Sequence, residues 1–91
     1  MVTIHIPTAF RVFSGERESV GVDLPGGGSL RRVIELLEKE CPGIKERLMF
    51  DGGVHPSIAV FINDEQSSQG IIEQVPEEAT IRLLPAMGGG E

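Results

Sequence analysis

Hydrophobic and polar residues alternate through "VTIHI" at residues 2–6, with Val2, Ile4 and Ile6 on one side and Thr3 and His5 on the other. A period of two marks a strand with one buried face, and Pro7, which has no amide hydrogen, closes it. "ESVGVDL" repeats the period with Val20, Val22 and Leu24, and Gly15 supplies a turn between the segments, so the two are expected to form a hairpin. "PGGG" then breaks the chain ahead of Ser29, a residue type suited to cap a helix. From there the period changes: Leu30, Val33, Ile34, Leu37 and Cys41 recur at offsets of 0, 3, 4, 7 and 11, one stripe of an amphipathic helix that Pro42 and Gly43 end. "IKERLMF" adds a helical turn, and "DGGVHPS" is loop. "SIAVFIND" returns to period two, with Ile58, Val60 and Ile62 on one face, Ala59 and Phe61 on the other, and a turn starting at Asn63-Asp64. "TIRLL" sets Ile81 and Leu83 against Thr80, Arg82 and Leu84, and "GIIEQV" is a short connector before it.

The order strand, strand, helix, strand, strand predicts an α+β domain, a mixed sheet of four to five strands packed on one main helix. It resembles the β-grasp architecture of ubiquitin-like proteins, in which the first and last strands lie side by side in the centre. The domain is expected to span residues 1–85, with no internal repeat and no second domain.

A 91-residue chain with 40 % hydrophobic and 24 % charged residues has enough apolar material for one modest core. With a single cysteine, Cys41, no internal disulfide supports that core, which fits a reducing compartment. The start, "MVTIHIPTAF", shows no basic leader and no small-residue cleavage site, and no apolar run is long enough to cross a bilayer; the expected location is the cytoplasm, away from membranes. The net charge is −6, and the two lysines, Lys39 and Lys45, stand against fourteen acids. Nucleic-acid binding needs a basic face and is disfavoured, whereas a partner with a basic groove is favoured.

Catalytic chemistry is hard to build from the remaining residues. His5 and His55 are fifty positions apart, with no Cys or Asp cluster at metal-ligand spacing beside either. Cys41 sits on the apolar stripe and reads as a small core hydrophobe. "PGGGS" lacks the Lys-Ser/Thr pair of a phosphate loop and reads as a turn into the helix. The acid pairs Glu16/Glu18, Glu38/Glu40 and Glu77/Glu78 read as solvated charge. The expectation is a protein that is not an enzyme, with no catalytic residues, metal or bound cofactor.

The segment "LLPAMGGGE" is different. Pro85 cannot donate to a ladder, so pairing is expected to stop at Leu84, leaving residues 86–91 as a flexible glycine-rich tail. Glycine has no Cβ, so such a tail can be drawn extended through a channel too narrow for side chains. By composition alone the segment is a frayed end; joined directly to a β-grasp order it reads as a substrate handle. A glycine carboxylate is a poor electrophile until one oxygen becomes a leaving group, which adenylation with ATP and magnesium achieves.

"IPTAFR", "ERL", "FINDE" and "RLLPAMGGG" together resemble the ubiquitin-like sulfur carriers, the group of the molybdopterin synthase small subunit and the thiamine-biosynthesis sulfur carrier. The segments are most similar to the branch that delivers sulfur for cysteine biosynthesis. The resemblance implies that Gly89 and Gly90 are the terminal diglycine, that the Gly90 carboxyl becomes an acyl adenylate and then a thiocarboxylate, and that Gly88 occupies a position open to other small residues. It implies that Leu84 presents an apolar side chain to partner enzymes. The strand alternation puts Leu84 and Phe61 on one outward face, either as a docking patch or as a pair covered by a loop or turned by a shifted register.

Mature carriers of this family end at glycine, so Glu91 implies a precursor cut by a zinc metallopeptidase. The other implied partners are an adenylating enzyme using ATP and magnesium, a sulfur donor of the cysteine desulfurase or rhodanese-like kind, and a sulfur-accepting synthase. Two other functions stay open: a ubiquitin-like modifier conjugated to lysines through Gly90, and a non-covalent interaction module. The product that receives the sulfur, whether an amino acid, a cofactor or a siderophore, is not encoded in these residues.

Overall fold

The structure, a computed structural model, describes residues 1–85. Strand β1 (Val2–His5) is followed by a 3₁₀ turn at Thr8–Phe10 and by β2 (Ser19–Val22). A two-residue strand, β3 (Gly28–Ser29), leads into helix α1 (Leu30–Glu40), and a short helix, α2 (Ile44–Leu48), runs into β4 (Met49–Phe50) and β5 (Gly53–Val54). Strand β6 (Ile58–Ile62) is followed by β7 (Glu65–Gln66), a second 3₁₀ turn at Gly70–Ile72, β8 (Gln74–Val75) and the long β9 (Ala79–Pro85).

Five strands form one sheet in the order β2-β1-β9-β6-β7. β9 lies parallel to β1, with Val2 beside Ala79 and His5 beside Arg82, and antiparallel to β6, with Ile62 beside Ile81 and Ile58 beside Pro85. The first and last strands are therefore central, and the β-grasp expectation holds. Alternation decides the facing: Val2, Ile4, Val20, Val22, Ile58, Val60, Ile62, Ile81 and Leu83 are buried and share one core with Leu30, Val33, Ile34 and Leu37 of α1. Each fully buried aliphatic side chain of this kind contributes about 1.5–3 kcal/mol relative to exposure. Ser29 caps α1 as its residue type suggests, its Oγ accepting from the Arg32 amide at 3.2 Å.

Four local features differ from the sequence expectation. The connector "GIIEQV" carries a 3₁₀ turn and β8, which pairs with β3 and buries Val75; the Leu30 amide donates to Glu73 O across this junction at 2.8 Å. In "IKERLMF" the helix stops at Leu48, because Met49 is extended and pairs through β4 with β5, inside the segment expected to be loop. β9 continues through Pro85. β1 has already ended its pairing at Arg82, so Pro85 has β6 alone beside it and a missing amide hydrogen is tolerated.

Finally, Glu38 is not simply solvated charge. Its carboxylate accepts the backbone amides of Gly43 and Lys45 at 2.9 and 2.8 Å, satisfying donors at the start of α2 where Gly43, at φ 100°, makes the left-handed turn between helices. Those two bonds, Gly43 first, hold its pKa below the usual carboxylate value. Among the described residues no helix is long and apolar enough to cross a membrane.

Candidate functional site

The fold gathers several segments at one end. β1 and β9 are parallel, so both run out at the same edge of the sheet, and antiparallel β6 begins there. His5 to Thr8 and the loop after the 3₁₀ turn therefore surround Pro85, the last described residue before the glycine-rich segment. A cavity of about 350 Å³ marks the place, lined by His5, Thr8, Arg11, Glu18, Arg82 and Leu84 among others. Arg11 is oriented by its Nε, which donates to Ile6 O at 3.0 Å.

On the outer sheet face, Leu84 is 53 % exposed and lies across from Ala59. Phe61, half-buried, lies across from Arg82. Phe61 and Leu84 thus share the outward face, as the alternation implies, and no described loop covers Leu84. Arg82 Nε is 3.8 Å from Asp64 Oδ1, and both side chains are exposed, so the pair contributes at most about 1 kcal/mol and is easily exchanged for a partner's carboxylate. Gly88, Gly89, Gly90 and Glu91, the expected reactive and processing positions, lie outside the described residues, as does the expected tail of residues 86–91.

Cys41 is fully buried at the C-terminal end of α1, and burial pushes its thiol pKa up, so it is neither accessible nor nucleophilic at neutral pH. His55 is tied locally, with the Ser57 amide donating to its Nδ1 at 3.1 Å. Among the described residues there is no group of three or more His, Cys, Asp or Glu placed to hold a metal.

Sequence reasoning assigned no role to Arg11, Val12 or Phe50. Arg11 reaches the Pro85 end of β9 because β1 pairs with β9, while Val12 and Phe50 are exposed apolar side chains at 72 % and 59 %. "AFRVF" has no clean period, but two apolar residues flanking an arginine outside any predicted strand were a usable signal.

A five-stranded β-grasp sheet whose central strand runs out beside an exposed apolar residue defines a ubiquitin-like domain. The chain belongs to the ThiS family, whose model matches residues 10–90, and so to the ubiquitin-like sulfur carriers that its sequence resembles. It is similar to the CysO protein of the Amycolatopsis orientalis BexX/CysO complex, with 35 % identity and a TM-score of 0.89 over 99 % of this chain and 100 % of that one. It is also similar to Mycobacterium tuberculosis CysO, described as an antigen, with 34 % identity and a TM-score of 0.84 over 96 % and 100 % of the two chains. The fold is shared with SAMP1 from Haloferax volcanii, at 21 % identity and a TM-score of 0.81 over 98 % of each chain. No curated protein matches the chain by sequence.

Proposed function

We propose that the chain is a sulfur carrier that acts as a substrate and not as an enzyme, its reactive atom being the Gly90 carboxyl carbon. The carrying observation is that the family match runs through residue 90 and leaves Glu91 outside it, on a fold whose central strand ends at Pro85, five residues before that glycine. A metallopeptidase removes Glu91. The freed carboxylate attacks the α-phosphate of ATP in a magnesium-dependent partner, releasing pyrophosphate. The persulfide sulfur of a desulfurase or rhodanese-like donor then attacks the acyl carbon and AMP leaves; a thiol cleaves the acyl disulfide to free the thiocarboxylate. A synthase takes the sulfur from it. The likeness to two CysO proteins above 30 % identity supports the cysteine-type branch, and the complex of one of them with BexX supports docking to a partner protein. Cytoplasmic location is part of the same reading.

The test is the intact mass of the protein from its native host. The expected species ends at Gly90 and is heavier by one sulfur-for-oxygen replacement. Recovery as an isopeptide adduct on lysines of other proteins would instead make the chain a modifier. An unmodified species retaining Glu91 under sulfur demand would leave an interaction module.

A further inference from the structure

The outward face of the sheet carries a charge pattern unlike the rest of the chain. Strand alternation turns every second residue outward, and on that side of the five strands the only ionisable side chains are His5 and Arg82, although the sequence holds fourteen acids. Arg82 lies in the central strand β9, beside His5 of β1 and Phe61 of β6, and two residues before Leu84. Any surface that covers both Leu84 and Phe61 therefore covers Arg82 as well.

One carboxylate lies within ion-pair distance of Arg82, and the fold fixes where it comes from. Asn63 and Asp64 make the turn between β6 and β7, with φ of 51° and 71°. Asn63 ties that turn to β9: its amide donates to Thr80 O and its Oδ1 accepts the Thr80 amide, both at 2.9 Å. Asp64 is thereby held with Oδ1 3.8 Å from Arg82 Nε, its own side chain 88 % exposed. Glu18 lines the cavity at the Pro85 end of β9 together with Arg82, but it forms no ion pair among the described residues.

This arrangement constrains what can cover the face. A guanidinium taken out of water beside Phe61 and Leu84 is costly unless a carboxylate meets it. The Asp64 contact is long and exposed, so it is a weak counter-charge. A partner that buries Leu84 must bring a better one, which then displaces Asp64. Position narrows the partner further: Arg82 stands three residues before Pro85 on the strand that leads to Gly90, within the footprint of an enzyme working on that carboxyl.

We propose that Arg82 is a specificity-determining residue of the docking face, met by a carboxylate of the adenylating partner beside the apolar pocket for Leu84, and that Asp64 competes for it in the free chain. This rests on the carrier reading and deepens it: the polar contact and its competitor are supplied by one strand and the turn bonded to it.

The experiment is ATP–pyrophosphate exchange catalysed by the host's adenylating enzyme, with the chain ending at Gly90 as substrate. Arg82→Gln is expected to raise KM roughly tenfold with kcat unchanged, as loss of one partner of an interfacial charge pair does. Asp64→Asn, which keeps a residue tolerant of the left-handed turn, should lower KM about two- to fivefold, the weight of an exposed ion pair. The double variant should match Arg82→Gln, because Asp64 acts through Arg82 alone. Arg32→Gln, which removes an exposed cation from α1, should leave KM unchanged and so separates local from net charge. Thermal melting checks that each variant is folded. With the parent active, KM within twofold of the parent for Arg82→Gln overturns the assignment, and an Asp64→Asn effect that persists without Arg82, or no effect at all, overturns the competition. An inactive parent chain overturns the carrier reading, and this inference with it.

Discussion

Leu84 faces Ala59 across the β6–β9 ladder, and the small alanine is why the leucine stands uncovered. Nothing in the described core depends on it. Leu84→Asp is therefore expected to change unfolding free energy by no more than about 0.5 kcal/mol. The same variant should raise the KM for adenylation roughly tenfold, because the exposed side chain is proposed to enter a partner. Chemical denaturation and pyrophosphate exchange on one preparation separate the two effects.

Its neighbour is the converse case. Leu83 points to the other face and is 7 % exposed within the core. Leu83→Ala should cost about 2–5 kcal/mol, transfer of the lost methyl groups plus the cavity left behind. In a domain of this size each kcal/mol lowers the melting temperature by roughly 4–8 °C, so calorimetry distinguishes Leu83 from Leu84 directly.

The Glu38 carboxylate joins α1 to α2 through the Gly43 and Lys45 amides. Glu38→Gln keeps the shape but turns a charged double acceptor into an amide, with an expected loss of about 1 kcal/mol at neutral pH. The folded-state pKa is lowered, so this stabilisation is complete above the unfolded carboxylate value and disappears as pH falls through the lower native value. Parent and variant stabilities, measured by urea titration across that acidic window, should converge at its lower end.

Gly27 and Gly26 both have positive φ, at 80° and 75°, yet they differ in surroundings. A Cβ at Gly27 would meet Val75 O at 2.8 Å, in the strand that pairs with β3, whereas one at Gly26 meets nothing within 4 Å. Gly26→Ala should cost about 1 kcal/mol of backbone strain, and Gly27→Ala distinctly more. Equal unfolding midpoints for the two would contradict this account.

Where the hydrophobic period was clean, the fold was legible. Val2-Ile4, Val20-Val22, Ile58-Val60-Ile62 and Ile81-Leu83 each alternate over a strand with one buried face, and α1 shows its stripe from Leu30 to Leu37. Two-residue strands have no period to detect, so the pairing of Gly28–Ser29 with Gln74–Val75 and of Met49–Phe50 with Gly53–Val54 could not be seen. The shared outward face of Phe61 and Leu84 was legible because a single register fixes the side of every residue in β9. Arg11 was not, since its place near Pro85 follows from the parallel β1–β9 pairing and from no local pattern. Glu38 escaped for a similar reason: its amide partners lie beyond the end of its own helix.

The segment that the proposed carrier role hands to a partner follows a strand bonded on both sides, to β1 over Ala79–Arg82 and to β6 over Ile81–Pro85. Traction applied through Gly90 while the partner braces against the domain runs along the axis of β9, across the direction of its ladder hydrogen bonds. These bonds then share the load in shear and yield together, whereas a strand peeled from a sheet edge would lose them one at a time. A pull along β9 of the kind the carrier proposal requires would thus load the sheet without unravelling it.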